Sequence, residues 1–335
     1  MARIAINGFG RIGRAFFRSA FGRSEFDIVA INDLSDTATL GYLLTYDTVY
    51  GRFDRRVEAR DHTLSIDGTE IRVLAEKDPA KLPWKDLGVD IVVESTGFFT
   101  HGDRAKAHLD AGAKQVVITA PADGDVMTAL VGVNDEKLKK PAQITCNASC
   151  TTNSVAPVLA ILLETIGIEK AWMVTVHSYT ASQRLVDGPD AKDPRRGRAA
   201  AANIVPSTTG AAEAVIQALP ELAGKFDAAA VRVPTISGSL SVISAVLSKG
   251  VSVDEVNELF RKAAASERWE GILTTTSDPV VSSDIVGQAF GSIVDTSLTK
   301  VVDGNFVSVS SWYDNEAGYT TTLVEHVRRI AEVLS

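Results

Sequence analysis

Cysteine is nearly absent from this 335-residue chain, which has only Cys146 and Cys150. Two thiols four residues apart cannot build a disulfide framework. Histidine is scarce too, at five. His62, His101, His108 and His326 have no Cys or His partner at ligand spacing, so they read as surface or internally satisfied residues and no metal site is expected. No run of 18 apolar residues occurs, which predicts no membrane-spanning helix. Met1-Ala2-Arg3-Ile4-Ala5-Ile6 enters a strand pattern directly, without the basic and apolar regions of a leader, so a cytoplasmic protein is expected. Basic charge is in deficit, 34 Lys and Arg against 42 Asp and Glu for a formal net charge of -8. That balance argues against a general affinity for nucleic acid or an anionic membrane. Internal repeats and low-complexity segments are missing as well.

What remains is ordinary for a globular protein, 45% hydrophobic and 23% charged. The length predicts two domains. In the first half, short apolar runs alternate with helical patterns, which predicts parallel α/β units. Strands are expected over 3–7, 27–33, 90–94 and 115–119, with a helix over 101–111 ending at Gly112. Asp67-Gly68 between two alternating runs predicts a hairpin over 57–74. Near Cys150 the character changes. A helix is expected over 151–166 and a strand over 171–178, followed by an irregular stretch over 179–206 with Gly, Pro and clustered Arg. Long alternating strands over 239–248, 292–302 and 306–312, the last two joined by Asp303-Gly304-Asn305, predict a mostly antiparallel sheet and hence a second domain of α+β type. A helix over 316–334 ends the chain.

Gly8-x-Gly10-x-x-Gly13 follows a strand and opens a helix. The first glycine permits the tight turn, the second a close approach to a pyrophosphate, and the third close helix–strand packing. The helix start supplies N–H groups and a positive dipole end. Asp33, at the end of the second strand, stands where an acid holds the adenosine ribose. The context makes this a dinucleotide site rather than a bare glycine turn. A 2′-phosphate about 4 Å from that carboxylate would be repelled by roughly 1–4 kcal/mol per charge pair, which favours NAD over NADP. The next residue, Leu34, offers no hydroxyl to a phosphate.

Ser149-Cys150-Thr151-Thr152-Asn153 lies at a strand-to-helix junction. A cysteine at a helix start feels a field that favours thiolate, and a βαβ connection would bring it to His177 at the end of the next strand. From spacing alone, Cys150 reads equally well as a buried small hydrophobe. Cys146 sits inside the preceding strand and reads as core.

Four blocks together are more specific: Asn7-Gly8-Phe9-Gly10-Arg11-Ile12-Gly13-Arg14, Ala148-Ser149-Cys150-Thr151-Thr152-Asn153, His177-Ser178-Tyr179-Thr180 and Trp312-Tyr313-Asp314-Asn315-Glu316. In content and order, over essentially the whole chain, they resemble the glyceraldehyde-3-phosphate dehydrogenase family. The resemblance implies a Rossmann-type parallel-sheet NAD domain over 1–149, with the C-terminal helix 316–335 packing back onto it, and an α+β catalytic domain over 150–315. It implies Cys150 as nucleophile on an aldehyde and His177 as base and oxyanion partner. Hydride then passes to NAD⁺, and inorganic phosphate releases the resulting thioester as 1,3-bisphosphoglycerate. The matching anion-binding positions are Ser149, Thr151, Thr180, Thr209, Gly210 and Arg232, with one of Arg195 and Arg196. Beside the glycines, the cofactor positions are Asn7, Arg11, Ile12, Asp33, Thr119 and Asn315. The 179–206 loop corresponds to the family's segment at the centre of a homotetramer.

Some positions depart from the family pattern. Lys77 replaces an expected arginine near the adenine, Phe98 a charged residue and Ala317 a large one, and Cys146 is unusual before the Cys150 block. None removes a group that the chemistry needs. Two rival readings remain: an erythrose-4-phosphate dehydrogenase on the same fold, and a non-catalytic NAD-binding redox sensor.

Overall fold

The computed structural model describes residues 1–191 and 193–334. The chain divides into two compact units, one of Met1–Val131, Asp135–Ala148 and the stretch from Leu323, the other of Gly132–Asn134 and Ser149–Thr322. No described helix is long and apolar enough to cross a membrane.

The first unit runs β1 (Ala2–Asn7), α1 (Arg11–Ala20), β2 (Phe26–Asn32), α2 (Thr37–Thr45), β3 (Val57–Arg60), β4 (Thr63–Ile66), β5 (Thr69–Leu74), β6 (Ile91–Glu94), α3 (Gly102–Asp110), β7 (Gln115–Ile118), β8 (Met127–Thr128) and β9 (Ile144–Cys146). Among the described residues these strands form one sheet in the order β3-β4-β5-β2-β1-β6-β7-β9-β8. It is parallel from β5 onward. Ile4, Ile6, Val92, Val93, Val116 and Val117 are fully buried, as parallel strands covered on both faces require. The chain moves to one side of β1 with β2 and to the other with β6. That reversal opens a crevice beyond the carboxyl ends of the strands, where ligands bind in such sheets.

The expected hairpin over 57–74 is a three-stranded meander. Asp67-Gly68 turns β4 into β5, but a second reversal at Asp61-His62 splits the first run. His62 adopts φ 55 there, so the turn carries no glycine or proline signal.

The second unit holds α4 (Cys150–Thr165), β10 (Ile168–Ser178), β11 (Val205–Ser207), α5 (Ala211–Ala218), β12 (Phe226–Val233), β13 (Ser239–Leu247), α6 (Val253–Ala264), β14 (Leu273–Thr276), α7 (Ser282–Ile285), β15 (Ser292–Val302) and β16 (Phe306–Tyr313). Its sheet runs β11-β12-β10-β13-β16-β15-β14. It is antiparallel except for the β10–β12 and β14–β15 pairs. Both sheets match the predicted fold class. A three-residue turn, Asp303-Gly304-Asn305, joins β15 to β16, with Asp303 and Gly304 both at positive φ.

The βαβ connection expected around Cys150 does not form. β9 belongs to the first sheet and β10 to the second. α4 is buried continuously from Thr151 to Leu162 because it packs against the second sheet and also against α5 and α6.

The last helix, α8 (Ala317–Leu334), carries His326 into the first unit. His326 is fully buried, with Nδ1 3.1 Å from Ala129 O and Nε2 2.9 Å from Thr145 Oγ1. Burial lowers its pKa from 6.5 to about 4. Because the folded-state value lies below the unfolded one, the stabilisation is complete above about pH 6.5 and is lost as pH falls toward 4. A depression of that size corresponds to roughly 3 kcal/mol. Urea unfolding of the parent should therefore show a stability loss between pH 7 and 4.5 that His326→Gln reduces. Equal pH dependence in the two proteins would contradict this.

Candidate active site

In the first unit the glycine loop lines a cleft of about 510 Å³ with Asn7, Asn32, Asp33, Leu34, Lys77 and Thr96. Each glycine has its own reason. Gly8 has φ +91, and a Cβ there would lie 2.7 Å from Thr96 N. At Gly13 a Cβ would fall 2.1 Å from Gly8 O, so α1 packs directly on the loop. At Gly10 a Cβ would meet nothing within 4 Å, since this backbone faces the open cleft. The Asp33 carboxylate accepts from Phe9 N at 2.8 Å and Ser35 N at 2.9 Å, which anchors it at the mouth. Lys77 and the exposed Phe98 also line the cleft.

Other predicted cofactor residues sit around this frame. Ile12 and Arg11 lie in the first turn of α1, with the Arg11 guanidinium engaged by Asp47 and placed over the Tyr50 ring. Thr119 follows β7, and its N–H donates to Glu94 O.

In the second unit, Ser149 caps α4 by accepting from Thr152 N at 3.0 Å, leaving Cys150 in the first turn. Cys150 Sγ lies 3.4 Å from His177 Nε2. The β10–β12 register sets Arg232 beside His177 on adjacent parallel strands. Arg232 Nη1 is 2.7 Å from His177 Nδ1 and donates to Ser178 O at 3.0 Å. Ser178 O also lies 2.7 Å from Nδ1. Arg232 can only donate, so its contact with Nδ1 is a hydrogen bond only when Nδ1 is unprotonated; when Nδ1–H instead donates to Ser178 O, Nε2 presents a lone pair to the thiol, and that is the base-competent tautomer.

Electrostatically the pair is held neutral. Burial pushes the Cys150 thiol up, against Arg232 and the N–H groups of the helix start, which favour thiolate. Burial, and then the Arg232 charge, lower His177 to about 3. The helix-start field expected to ionise Cys150 is therefore present but outweighed by burial. The resting arrangement is a thiol facing a neutral imidazole.

Arg232 is itself lowered by burial, and its electrostatic neighbours are Cys150, Tyr313 and Arg196, without a carboxylate among them. A cation so placed is available to an external anion. Of the two candidate arginines, Arg196 is the one near Arg232, held by Ser207 Oγ at 3.1 Å, while Arg195 is exposed. Thr209 accepts from Ala211 N at 3.1 Å, and Gly210 begins α5 without a side-chain cap. Thr180 is bound to Ser182 at 2.9 Å. The hydroxyls of Ser149 and Thr151 face inward, Ser149 in the cap and Thr151 3.0 Å from Tyr313 OH.

Tyr313 was not singled out in the sequence. Its hydroxyl also lies 2.6 Å from Thr175, and its ring meets His177 edge-on at 5.9 Å. It ties the start of α4 to the strand that carries the histidine. Ser239 was missed too. It accepts from Ser178 N at 3.1 Å and donates to Asn315 Oδ1 at 3.0 Å, which fixes the orientation of the Asn315 amide. These partners are set by strand register, which carries no local signal.

Residues 149–315 match the model of the glyceraldehyde 3-phosphate dehydrogenase C-terminal domain, and residues 2–102 that of its NAD binding domain. The chain belongs to the glyceraldehyde-3-phosphate dehydrogenase family. Among its relatives, the glyceraldehyde-3-phosphate dehydrogenase of Thermotoga maritima is 50% identical over 327 residues, covering 97% of this chain and 98% of that one. Those of Streptomyces coelicolor and Clostridium acetobutylicum are 49% and 46% identical, with 96% and 99% of both chains covered. As a member of the glyceraldehyde-3-phosphate dehydrogenase family, the chain is an NAD-dependent oxidoreductase, and the Gly8–Gly13 cleft with Asp33 at its mouth fits that cofactor.

Proposed function

We propose that this chain oxidises D-glyceraldehyde 3-phosphate, with NAD⁺ and inorganic phosphate, to 1,3-bisphosphoglycerate. The observation that carries the reading is Cys150 Sγ at 3.4 Å from His177 Nε2, with Arg232 on the far side of the same imidazole. His177 takes the thiol proton as Sγ bonds to the aldehyde carbon, and returns it to the new oxyanion to give a thiohemiacetal. It removes that proton again as the carbon loses hydride, leaving a thioester on Cys150. NAD⁺, when bound, accepts the hydride. A phosphate oxygen then attacks the acyl carbon, the tetrahedral centre collapses, and Cys150 leaves as thiolate. Arg232, Arg196 and the Thr209–Gly210 helix start hold the phosphate groups. Asn7, the three glycines, Arg11, Ile12, Asp33, Lys77, Thr119 and Asn315 hold the cofactor.

In this reading residues 1–149 with the C-terminal helix form the NAD domain and 150–315 the catalytic domain. The enzyme is cytoplasmic and homotetrameric. Support for assembly comes from the face of the second sheet that α4 does not cover. There Trp172 is exposed, and Val174, Val176, Val242 and Val246 are only half-buried.

Rates on glyceraldehyde 3-phosphate and erythrose 4-phosphate, with and without inorganic phosphate, test the reading. Phosphate-dependent NADH formation, faster on the three-carbon aldehyde, is expected. Phosphate-independent oxidation favouring erythrose 4-phosphate would overturn it, and no NADH with either aldehyde would leave the redox-sensor reading.

Cofactor choice gives a separate prediction. NAD⁺ should exceed NADP⁺ at least tenfold in kcat/KM, from repulsion by Asp33, and Asp33→Ala should narrow that gap. Equal efficiency in the parent would remove Asp33 from this role.

A further inference from the structure

Beneath the dinucleotide cleft lies a buried polar network that the reaction does not use. Trp84 and His108 are fully buried, and Asn7 and Glu94 are each 1% exposed. An indole N–H can only donate. Trp84 Nε1, 3.0 Å from His108 Nδ1, therefore makes that nitrogen an acceptor and places the ring proton on Nε2. Nε2–H then donates to Glu94 Oε2 at 3.0 Å. The same oxygen accepts from Asn7 Nδ2 at 2.5 Å. Glu94 Oε1 accepts from Thr96 N at 2.8 Å and from the Thr96 hydroxyl. Asn7 in turn accepts from Asn32 Nδ2 at 2.7 Å, and Asn32 is bonded in both directions to the Glu76 backbone at 2.9 Å.

The ends of this network line the cleft, at Asn7, Asn32, Glu76 and Thr96. The centre, Glu94 and His108, does not. A buried carboxylate is tolerated only when donors surround it, so the position of Glu94 depends on each donor it receives. Thr96 in turn packs on the phosphate-binding turn so closely that a Cβ on Gly8 would sit 2.7 Å from its nitrogen. A displacement of Glu94 would pass through Thr96 to that turn.

We propose that Glu94 and His108 are positioning residues for the cofactor: Trp84 fixes the His108 tautomer, His108 fixes Glu94, and Glu94 holds Thr96 and Asn7 where the dinucleotide needs them. The inference rests on the chain binding NAD.

The test is the NAD⁺ dissociation constant by titration calorimetry without aldehyde, alongside kcat, the aldehyde KM at saturating NAD⁺, and the unfolding midpoint of the cofactor-free protein. His108→Met, which has no donor, should weaken NAD⁺ binding about tenfold, the effect of one unsatisfied buried partner. The aldehyde KM and kcat should stay within about threefold, since the network lies away from the reacting atoms. His108→Gln, which keeps a donor for Glu94, should recover most of the affinity. Trp84→Phe releases the tautomer and should also weaken NAD⁺ binding, so it carries the test if His108→Met does not fold. NAD⁺ affinity within twofold of the parent in His108→Met and Trp84→Phe, with only the unfolding midpoint lowered, would overturn the proposal. A loss as deep in His108→Gln as in His108→Met would do the same. A parent that binds no NAD⁺ is a distinct result: it overturns the cofactor reading itself and this inference with it.

Discussion

Cys150→Ser is expected to abolish turnover, a loss on the order of 10⁴- to 10⁶-fold, as removal of a covalent nucleophile generally causes. The two side chains are similar in size, and Ser149 and Thr151 keep their own bonds to the cap and to Tyr313, so the fold around position 150 should survive. What changes is the nucleophile. A thiol in contact with a neutral imidazole can surrender its proton as it attacks. A hydroxyl at the same place holds its proton far more tightly and would form an ester, a poorer acyl donor to phosphate. Cys146→Ala serves as the control. Cys146 is fully buried beside Thr128 at 3.3 Å, and burial raises its thiol, so it is an inert core residue. Its variant should keep nearly full activity. Turnover by Cys150→Ser within a hundredfold of the parent would show that the covalent step has been misassigned.

His177→Asn should slow turnover by two to four orders of magnitude without abolishing it. General-base catalysis and oxyanion donation each contribute about two to three orders, and an amide retains part of the second. His177 is lowered to about 3, so its imidazole is neutral throughout the working range and available to accept the thiol proton. Without it, Cys150 should alkylate more slowly at neutral pH than in the parent. Arg232 complicates any reading of its own substitution. It contacts the Nδ1 side of His177 as well as facing an anion, so an Arg232 variant disturbs the base along with the phosphate site. The His177 variant separates these effects because it leaves the guanidinium in place. An unchanged turnover rate in His177→Asn would remove the histidine from the mechanism.

Much of this architecture is legible in the sequence, because local chemistry specifies it. The glycine loop, Asp33 at a strand end, the continuous apolar strands and the Asp303-Gly304 turn each have a residue pattern that only one conformation suits. α2 was readable in principle, since Asp36 caps it by accepting from Thr39 N. It was missed because its apolar positions do not form a clear helical stripe. Neither the register that sets His177 beside Arg232, 55 residues apart, nor the assignment of β9 and β10 to different sheets leaves a local mark. The choice between Arg195 and Arg196 likewise depended on which side chain a loop turns toward Arg232. His108 shows the limit most clearly. Spacing made it an ordinary satisfied histidine, and only its burial between Trp84 and Glu94 shows what it satisfies.

The most direct test of the central claim is stoichiometric alkylation with iodoacetamide, following activity and locating the modified residue from fragment masses. Activity should fall in proportion to a single modification at Cys150, with Cys146 unlabelled and the rate reduced in His177→Asn. Label on Cys146 as activity disappears, or full activity with Cys150 alkylated, would contradict it.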